Sequence, residues 1–318
     1  MSLICSGSLA FDRLMTYPGL YAESFLPDKL DLINLSFLVD KVERAYGGTA
    51  GNIAYNLGLL GEKPLIAASL GEDPEGEDYR RRLAGFGFSL EAVASQSGQL
   101  TAGCTIATDR NNNQLTFFHP GAMLLPSGFQ PADLPRPHDR HLAIVSAGGL
   151  TEMKSLCAEF RRLEIKFIFD GGQQIHAFSG RELIDMLEGS FIFVCNEYEF
   201  ELFKRISGLK EEELFRYTET VIVTLGEKGG RLLTAGRGSQ HLSPVPARRV
   251  VNPTGAGDAF RAGLMKGLYR GWHLISACRL GATVASFCVE VEGTQDQSFT
   301  LNEVAARHAA AFKEQLNF

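Results

Sequence analysis

The sequence predicts an α/β fold: a doubly wound, mostly parallel sheet flanked by helices, carrying a small β-sheet lid. Three observations predict it. Short apolar runs at Leu142–Ala147, Ile165–Asp170, Phe191–Asn196 and Val221–Leu225 alternate with helically periodic stretches such as Glu152–Leu163 and Glu182–Leu187. That is the pattern of βαβ units whose sheet is covered on both faces. A glycine-rich turn, Val251 to Asp258, runs into the small and apolar residues Ala259 to Leu264, a packed helix behind a turn. Two strand-like stretches, Leu32–Val42 and Thr101–His119, lie outside the alternating half and supply the lid.

A chain of 318 residues has room for two domains, but no linker, repeat or low-complexity tract divides it. A single domain over residues 1–318 is expected, its lid formed by insertions at about 14–46 and 99–121. Hydrophobic residues make up 45% and charged residues 21%, an ordinary balance for a soluble protein. The net charge of −6 offers no footprint for nucleic acid and repels anionic membranes, so an anionic substrate has to be bound locally. Six cysteines form no C-x-x-C and no metal-ligand spacing, and seven histidines include no H-E-x-x-H. His138 and His141 fall in a Pro-rich polar segment that reads as a surface loop. The start of the chain has no basic and apolar leader, and no run approaches the ~20 apolar residues of a membrane span. A cytoplasmic protein is expected.

Taken in order, Leu3–Gly7 reads as a buried strand ending at Gly7-Ser8. Asp12, just beyond it, either faces a ligand crevice or serves a turn. Gly47 to Ala54 is a second glycine-rich turn, entering a helix that ends near Gly61. Asn52 either caps that helix or bonds a polyhydroxylated ligand approaching over Gly47 and Gly48. Pro64–Ser69 is a further strand, closed by Gly71 to Gly76 and a helix through Leu83. Thr101–Thr108 and Gln114–His119 flank Asp109 to Asn113, a hairpin turn by composition. Phe117 and Phe118 point to opposite faces, so one of them at most can meet a ligand, and core packing for both is the alternative. Asp170 with Gln173, Asn196 with Glu199, and Thr224 with Gly226 fall at strand ends, which line one crevice in a doubly wound sheet. Asn196 and Glu199 share a helix face that could hold a hydrated Mg²⁺, or they are a cap and a solvated glutamate. Gly226 to Gly230 turns into a late hairpin.

The turn at Val251–Asp258 carries the chemistry. Gly255 and Gly257 allow a nest of N–H groups at a helix N-terminus, which favours an anion. Asp258 puts a carboxylate beside that site. Phosphoryl transfer to a hydroxyl needs this layout, amides for the phosphate and a base for the alcohol. A capped core helix uses the same glycines, so the turn alone leaves both readings open. There is no G-x-x-x-x-G-K-[ST], and Phe260 stands where a dinucleotide fingerprint has its third glycine.

Together these motifs resemble the ribokinase-like carbohydrate kinase family, also called the phosphofructokinase B family. Gly47-Gly48-x-x-x-Asn52-x-Ala54 is similar to its first signature and Asn252 to Leu264 to its second. Gly71-x-Asp73-x-x-Gly76 and Asn196-x-x-Glu199 match further family elements. Gly7 to Met15, Leu35 to Asp40, His119 to Met123, Gln173-Gln174 and Gly257 to Gly263 resemble the bacterial adenosine kinases within it. The resemblance implies transfer of the γ-phosphate of ATP to the 5′-hydroxyl of adenosine, giving AMP, in purine salvage. It makes Asp258 the base and the amides of Gly255, Ala256 and Gly257 the anion hole. Asp12, Gly48 and Asn52 hold the ribose hydroxyls, and Ser8, Ser36, Gln173 and Gln174 line the nucleoside site, with Phe118 stacked on adenine. Asn196 and Glu199 organise Mg²⁺ and the phosphates, while Thr224, Gly226 and Gly229 border ATP. A response to a monovalent cation such as K⁺, held by backbone carbonyls, is also implied.

Two residues depart from the pattern: Asn252 stands where many members have Asp, and Cys104 where the adenosine kinases compared carry an aromatic. The alternatives are a kinase for inosine, guanosine or a sugar such as ribose, and a non-catalytic nucleoside sensor. The aromatic lid strand and Gln173-Gln174 favour a base-bearing ligand, and the intact Gly255–Asp258 turn argues against a sensor. The edges of the lid sheet are expected to pair with a second copy in a homodimer, which a strict monomer in light scattering would contradict.

Overall fold

A computed structural model describes residues 2–25, 32, 34–316 and 318. Its strands are β1 (Leu3–Ser6), β2 (Ala10–Thr16), β3 (Lys41–Gly47), β4 (Leu65–Gly71), β5 (Val93–Gln96), β6 (Ala102–Thr108), β7 (Gln114–His119), β8 (Leu142–Val145), β9 (Lys166–Phe169), β10 (Ser190–Asn196), β11 (Thr218–Thr224), β12 (Gly230–Thr234) and β13 (Gly238–Leu242). Its helices are α1 (Tyr21–Ser24), α2 (Thr49–Leu59), α3 (Pro74–Gly85), α4 (Leu150–Arg162), α5 (Gly180–Leu187), α6 (Glu197–Ser207), α7 (Ala256–Tyr269), α8 (Leu274–Cys288) and α9 (Leu301–Phe312).

The main sheet has nine strands in the order β13-β12-β11-β10-β9-β8-β1-β4-β5. It is parallel from β5 to β11, and β12 and β13 close it as antiparallel neighbours. Successive strand residues point to opposite faces, and both faces are buried. Ala143, Val145, Phe167, Phe169, Phe193 and Cys195 pack with Met153, Phe160, Leu183 and Phe203 of α4, α5 and α6. Leu142, Ile144, Ile168, Ile192 and Val194 pack with Ile53, Leu57, Phe260 and Leu264 of α2 and α7. Glycine in α7 lets α8 come close, since a β-carbon at Gly263 would lie 2.7 Å from the Gly281 backbone.

The lid is a second sheet in the order β3-β2-β6-β7. It differs from the sequence expectation in three ways. Its first strand starts at Ala10, so Asp12 lies within β2 and not in a turn. Its second strand is Lys41–Gly47 in place of Leu32–Val42: β2 ends at Thr16, opposite Lys41, and the described residues 34–39 form no strand. Leu32, Leu35 and Leu38 are accordingly exposed; residues 26–31 and 33 of the expected insertion lie outside the described residues. Phe117 and Phe118 are also both exposed, 67% and 49%, so core packing does not hold for either.

Phe11, Tyr46 and Tyr79 pack in tilted and edge-to-face contacts where the lid meets α3, and ion pairs Arg13–Glu75 at 2.6 Å and Arg44–Asp78 at 2.5 Å join the same parts. Asp73 caps α3 through Gly76 N–H and also accepts from Thr101 N–H and Oγ1 at the entry to β6, so the Gly71–Gly76 motif anchors the lid. His141 is not on a surface loop: it is buried, with Nε2 bonded to Pro135 O and Nδ1 accepting from Ser2 N–H.

Candidate active site

Side chains from α2, α7, the end of β9 and the start of α6 form one electrostatic cluster: Asn52 bonds Asp258, Arg261 pairs with Asp170, and the charges of Asp170, Arg261 and Glu199 all act on Asp258. Gly255 has φ +82° and is the N-cap of α7, the left-handed turn that glycine supplies without strain. The N–H groups of Gly255, Gly257 and Asp258 find no acceptor among the described residues, as expected at a helix start. Ala256 N–H is already engaged, donating to Pro253 O at 3.2 Å. The open donors are therefore those of Gly255 and Gly257, with Asp258 joining them in place of Ala256.

Asp258 sits in the first turn of α7 and accepts from Asn52 Nδ2 at 2.8 Å. Desolvation pushes its carboxyl up to about 7, against the opposing pull of Arg261 and the Asn52 hydrogen bond, with Asp170 and Glu199 adding to the rise. A carboxyl poised there suits a general base near neutral pH. Asn52 does not cap α2, whose N-cap is Gly48. It lies one turn in, buried, with Oδ1 accepting from Thr294 Oγ1 at 2.9 Å and Gln295 Nε2 at 3.1 Å. Those two bonds fix the amide orientation, and Asn52 has one uncommitted Nδ2 hydrogen to offer a ligand.

The glycine pair ahead of α2 brings strands and helix together. A β-carbon at Gly47 would lie 2.5 Å from Asp12 Oδ2, and one at Gly48 would lie 2.5 Å from Ser8 O. Ser8 Oγ accepts from Thr49 N–H at 3.0 Å, so its hydroxyl supports the start of α2. Asp12 stands beside Cys104 and, across β6, Phe118 in one register row, so the three share a lid face. Burial pushes Asp12 up to about 6 and Cys104 up to about 11, the latter with help from the Asp12 charge. Gln174 donates to Gly148 O at 3.1 Å, while the neighbouring Gln173 is exposed. Ser36 lies exposed in the irregular segment before β3, and no hydrogen bond joins it to the other candidates.

At the start of α6 Asn196 and Glu199 form a reciprocal capping box, both bonds at 2.8 Å. The capping role is thus real, and it uses only Oε2 of Glu199. Burial and the charge of Asp170 raise the Glu199 carboxyl above its ordinary range, the condition a nearby cation relieves. Among the described residues no three His, Cys, Asp or Glu side chains converge as a metal cage. Asn196 is level with Thr224 across β10 and β11, and Gly226 (φ +59°) and Gly229 (φ +83°) shape the turn that follows.

Arg261 was not singled out in the sequence. It is buried one turn beyond Gly257 and pairs with Asp170: Nη2 donates to Oδ1 at 2.8 Å and Nε lies 2.5 Å from Oδ2. A charge inside the small, apolar run Ala259–Gly263 was the available signal. Thr294 and Gln295 gave none, since their loop reads as ordinary polar surface.

The sequence matches the pfkB family of carbohydrate kinases over residues 8–300. A nucleoside kinase of Methanothermobacter thermautotrophicus is 30% identical over 97% of this chain and 96% of its own length. A nucleoside kinase of Methanocaldococcus jannaschii, described as an archaeal member of the ribokinase family, superposes with a TM-score of 0.84 at 25% identity, covering 98% of this chain and 99% of that one. The nucleoside kinase of Burkholderia thailandensis in complex with inosine superposes with a TM-score of 0.88 at 34% identity, covering 99% of each chain.

Proposed function

The chain belongs to the pfkB family of carbohydrate kinases, and from that premise we propose that it is a nucleoside kinase, moving the γ-phosphate of ATP to the 5′-hydroxyl of a purine nucleoside, adenosine among them. The observation that carries the reading is Asp258, its carboxyl tuned to about 7, beside the free amides of Gly255 and Gly257. The hydroxyl oxygen bonds to Pγ as Asp258 takes its proton, and the bond from Pγ to ADP breaks. The amides meet charge on the transferred group, where preorganised donors act most strongly.

Asp12 accepts from the ribose hydroxyls, and Asn52 donates its remaining Nδ2 hydrogen to a ribose oxygen. Phe118 stacks on the base from the lid. Glu199, with its carboxylate only partly used by the capping box, would help hold the Mg²⁺ that accompanies ATP, which would neutralise phosphate charge; Asn196, Thr224, Gly226 and Gly229 border the nucleotide. Inosine is favoured as a second acceptor. The Burkholderia protein that is similar to this chain takes inosine in its complex, and Cys104, smaller than an aromatic, leaves the base less closely sandwiched.

Phosphate transfer from Mg·ATP across adenosine, inosine, guanosine, ribose and fructose tests the proposal. A purine nucleoside is expected to be preferred, with the 5′-monophosphate as product. Phe118→Ala is expected to weaken the nucleosides by ~1–3 kcal/mol, the worth of a base–aromatic stack, while leaving ribose unchanged. Preference for a free sugar would keep the chemistry and overturn the acceptor.

A further inference from the structure

We propose that Arg261 is a catalytic residue that donates through Nη1 to the transferring phosphoryl group, and that Asp170 is the positioning residue that aims it. The inference rests on the phosphoryl-transfer site at Asp258 proposed above. Side chains on a helix lean toward its N-terminus, so Arg261 reaches back over the first turn of α7. A β-carbon at Gly257 would lie 2.7 Å from Nη1. The guanidinium thus lies against the residue whose N–H is one of the open donors.

Its two edges have different fates. Nη2 donates to Oδ1 of Asp170, which follows the last residue of β9, and Nε lies within ion-pair distance of Oδ2 without an aligned hydrogen bond. Nη1 donates to no atom of the described residues, although Arg261 is only 6% exposed. Nε is the nitrogen sealed from solvent without a hydrogen-bond partner, whereas Nη1 keeps some contact with solvent, so Nη1 is the donor that a ligand can reach. A planar guanidinium held along one edge presents its remaining N–H groups in a fixed direction, the geometry that suits phosphate oxygens. As the O5′–Pγ bond forms and the bond to ADP breaks, charge lies on the three equatorial oxygens of the moving group. Nη1 meets one of them, while the hydroxyl proton goes to Asp258.

The test combines steady-state kinetics with trapping of Mg·ADP and aluminium fluoride, a mimic of the moving group, in Arg261→Gln, Arg261→Lys and the double variant Arg261→Met/Asp170→Leu. The double variant removes both buried charges together, so it keeps a packed fold where a lone unpaired carboxylate would not. All three are expected to lose kcat on the order of 10²-fold, the cost of one transition-state donor. ADP binding is expected to stay within a few-fold of wild type and fluoride trapping to be lost. Lysine does not rescue, because a point charge cannot hold Asp170 and the phosphoryl group at once. Retained kcat in the double variant, wild-type trapping, or ADP affinity falling in step with kcat would each overturn the proposal. Turnover that depends on Asp258 yet ignores Arg261 would defeat this inference alone, whereas turnover indifferent to Asp258 would defeat the site itself.

Discussion

Asp258→Asn is expected to lower kcat by ~10²–10⁴-fold, the usual worth of a positioned general base, with nucleoside affinity changed little. The substitution keeps the shape of the side chain and its acceptor for Asn52 Nδ2, now at 2.8 Å. What it removes is the ability to take a proton. Loss of kcat without loss of binding is the signature of an interaction made in the transition state. The same variant carries an internal check on folding. The Asp258 carboxyl is raised from 3.8 to about 7 in the folded chain, so the folded form holds that proton more tightly than the unfolded chain does. Wild-type stability therefore falls as pH rises between those values, and the variant escapes the loss. Its melting temperature is expected to exceed that of wild type on the alkaline side of 7, with the gap closing as pH falls toward 3.8. A variant that is inactive and also less stable at alkaline pH would point to damage in place of chemistry.

Gly255→Ala is expected to act on the other half of the machinery. The residue has φ +82°, a conformation costing other residues roughly 1–2 kcal/mol. Its new methyl would also sit 2.9 Å from Thr294 Cβ and Cγ2. Thr294 is one of the two donors that orient Asn52, so the clash reaches both the amide nest and the base. With more than one donor misplaced, kcat is expected to fall on the order of 10³-fold, together with a lowered melting temperature. Gly208→Ala is a fitting control. It too has positive φ, +74°, at the end of α6, but nothing lies within 4 Å of its β-carbon position, so it is expected to cost stability and spare turnover.

The parallel sheet was legible because its strands are buried on both faces and read as short apolar runs, with turn residues at their ends. The Gly255–Asp258 turn was legible for a related reason, since backbone demands on glycine leave a mark at fixed spacing. Lid boundaries were less so. The alternation over Leu32–Val42 resembles a half-buried strand, yet a strand needs an edge to pair with; pairing with β2 runs only from Lys41 onward, and the described residues 34–39 form no strand. Asn52 looked like a cap by position; the bonds that make it a directed donor come from Thr294 and Gln295, which are remote in sequence and brought there by the fold. Ser36 shows the converse, a residue singled out by resemblance that stands exposed with no such support. Arg261 was missed because its meaning depends on Asp170, and the pairing of a helix turn with a strand end is set by packing alone.

The measurement that tests the account most directly is the pH dependence of kcat/KM for the preferred nucleoside, in wild type and Asp258→Asn. The base must be ionised to accept the proton, so kcat/KM is expected to fall below an apparent pKa of about 7, and more steeply below about 6 as Asp12 protonates. The residual rate of the variant is expected to keep the lower limb and lose the upper one. A wild-type profile flat across both values, or an upper limb that survives in Asp258→Asn, would contradict the assignment of Asp258 as the base.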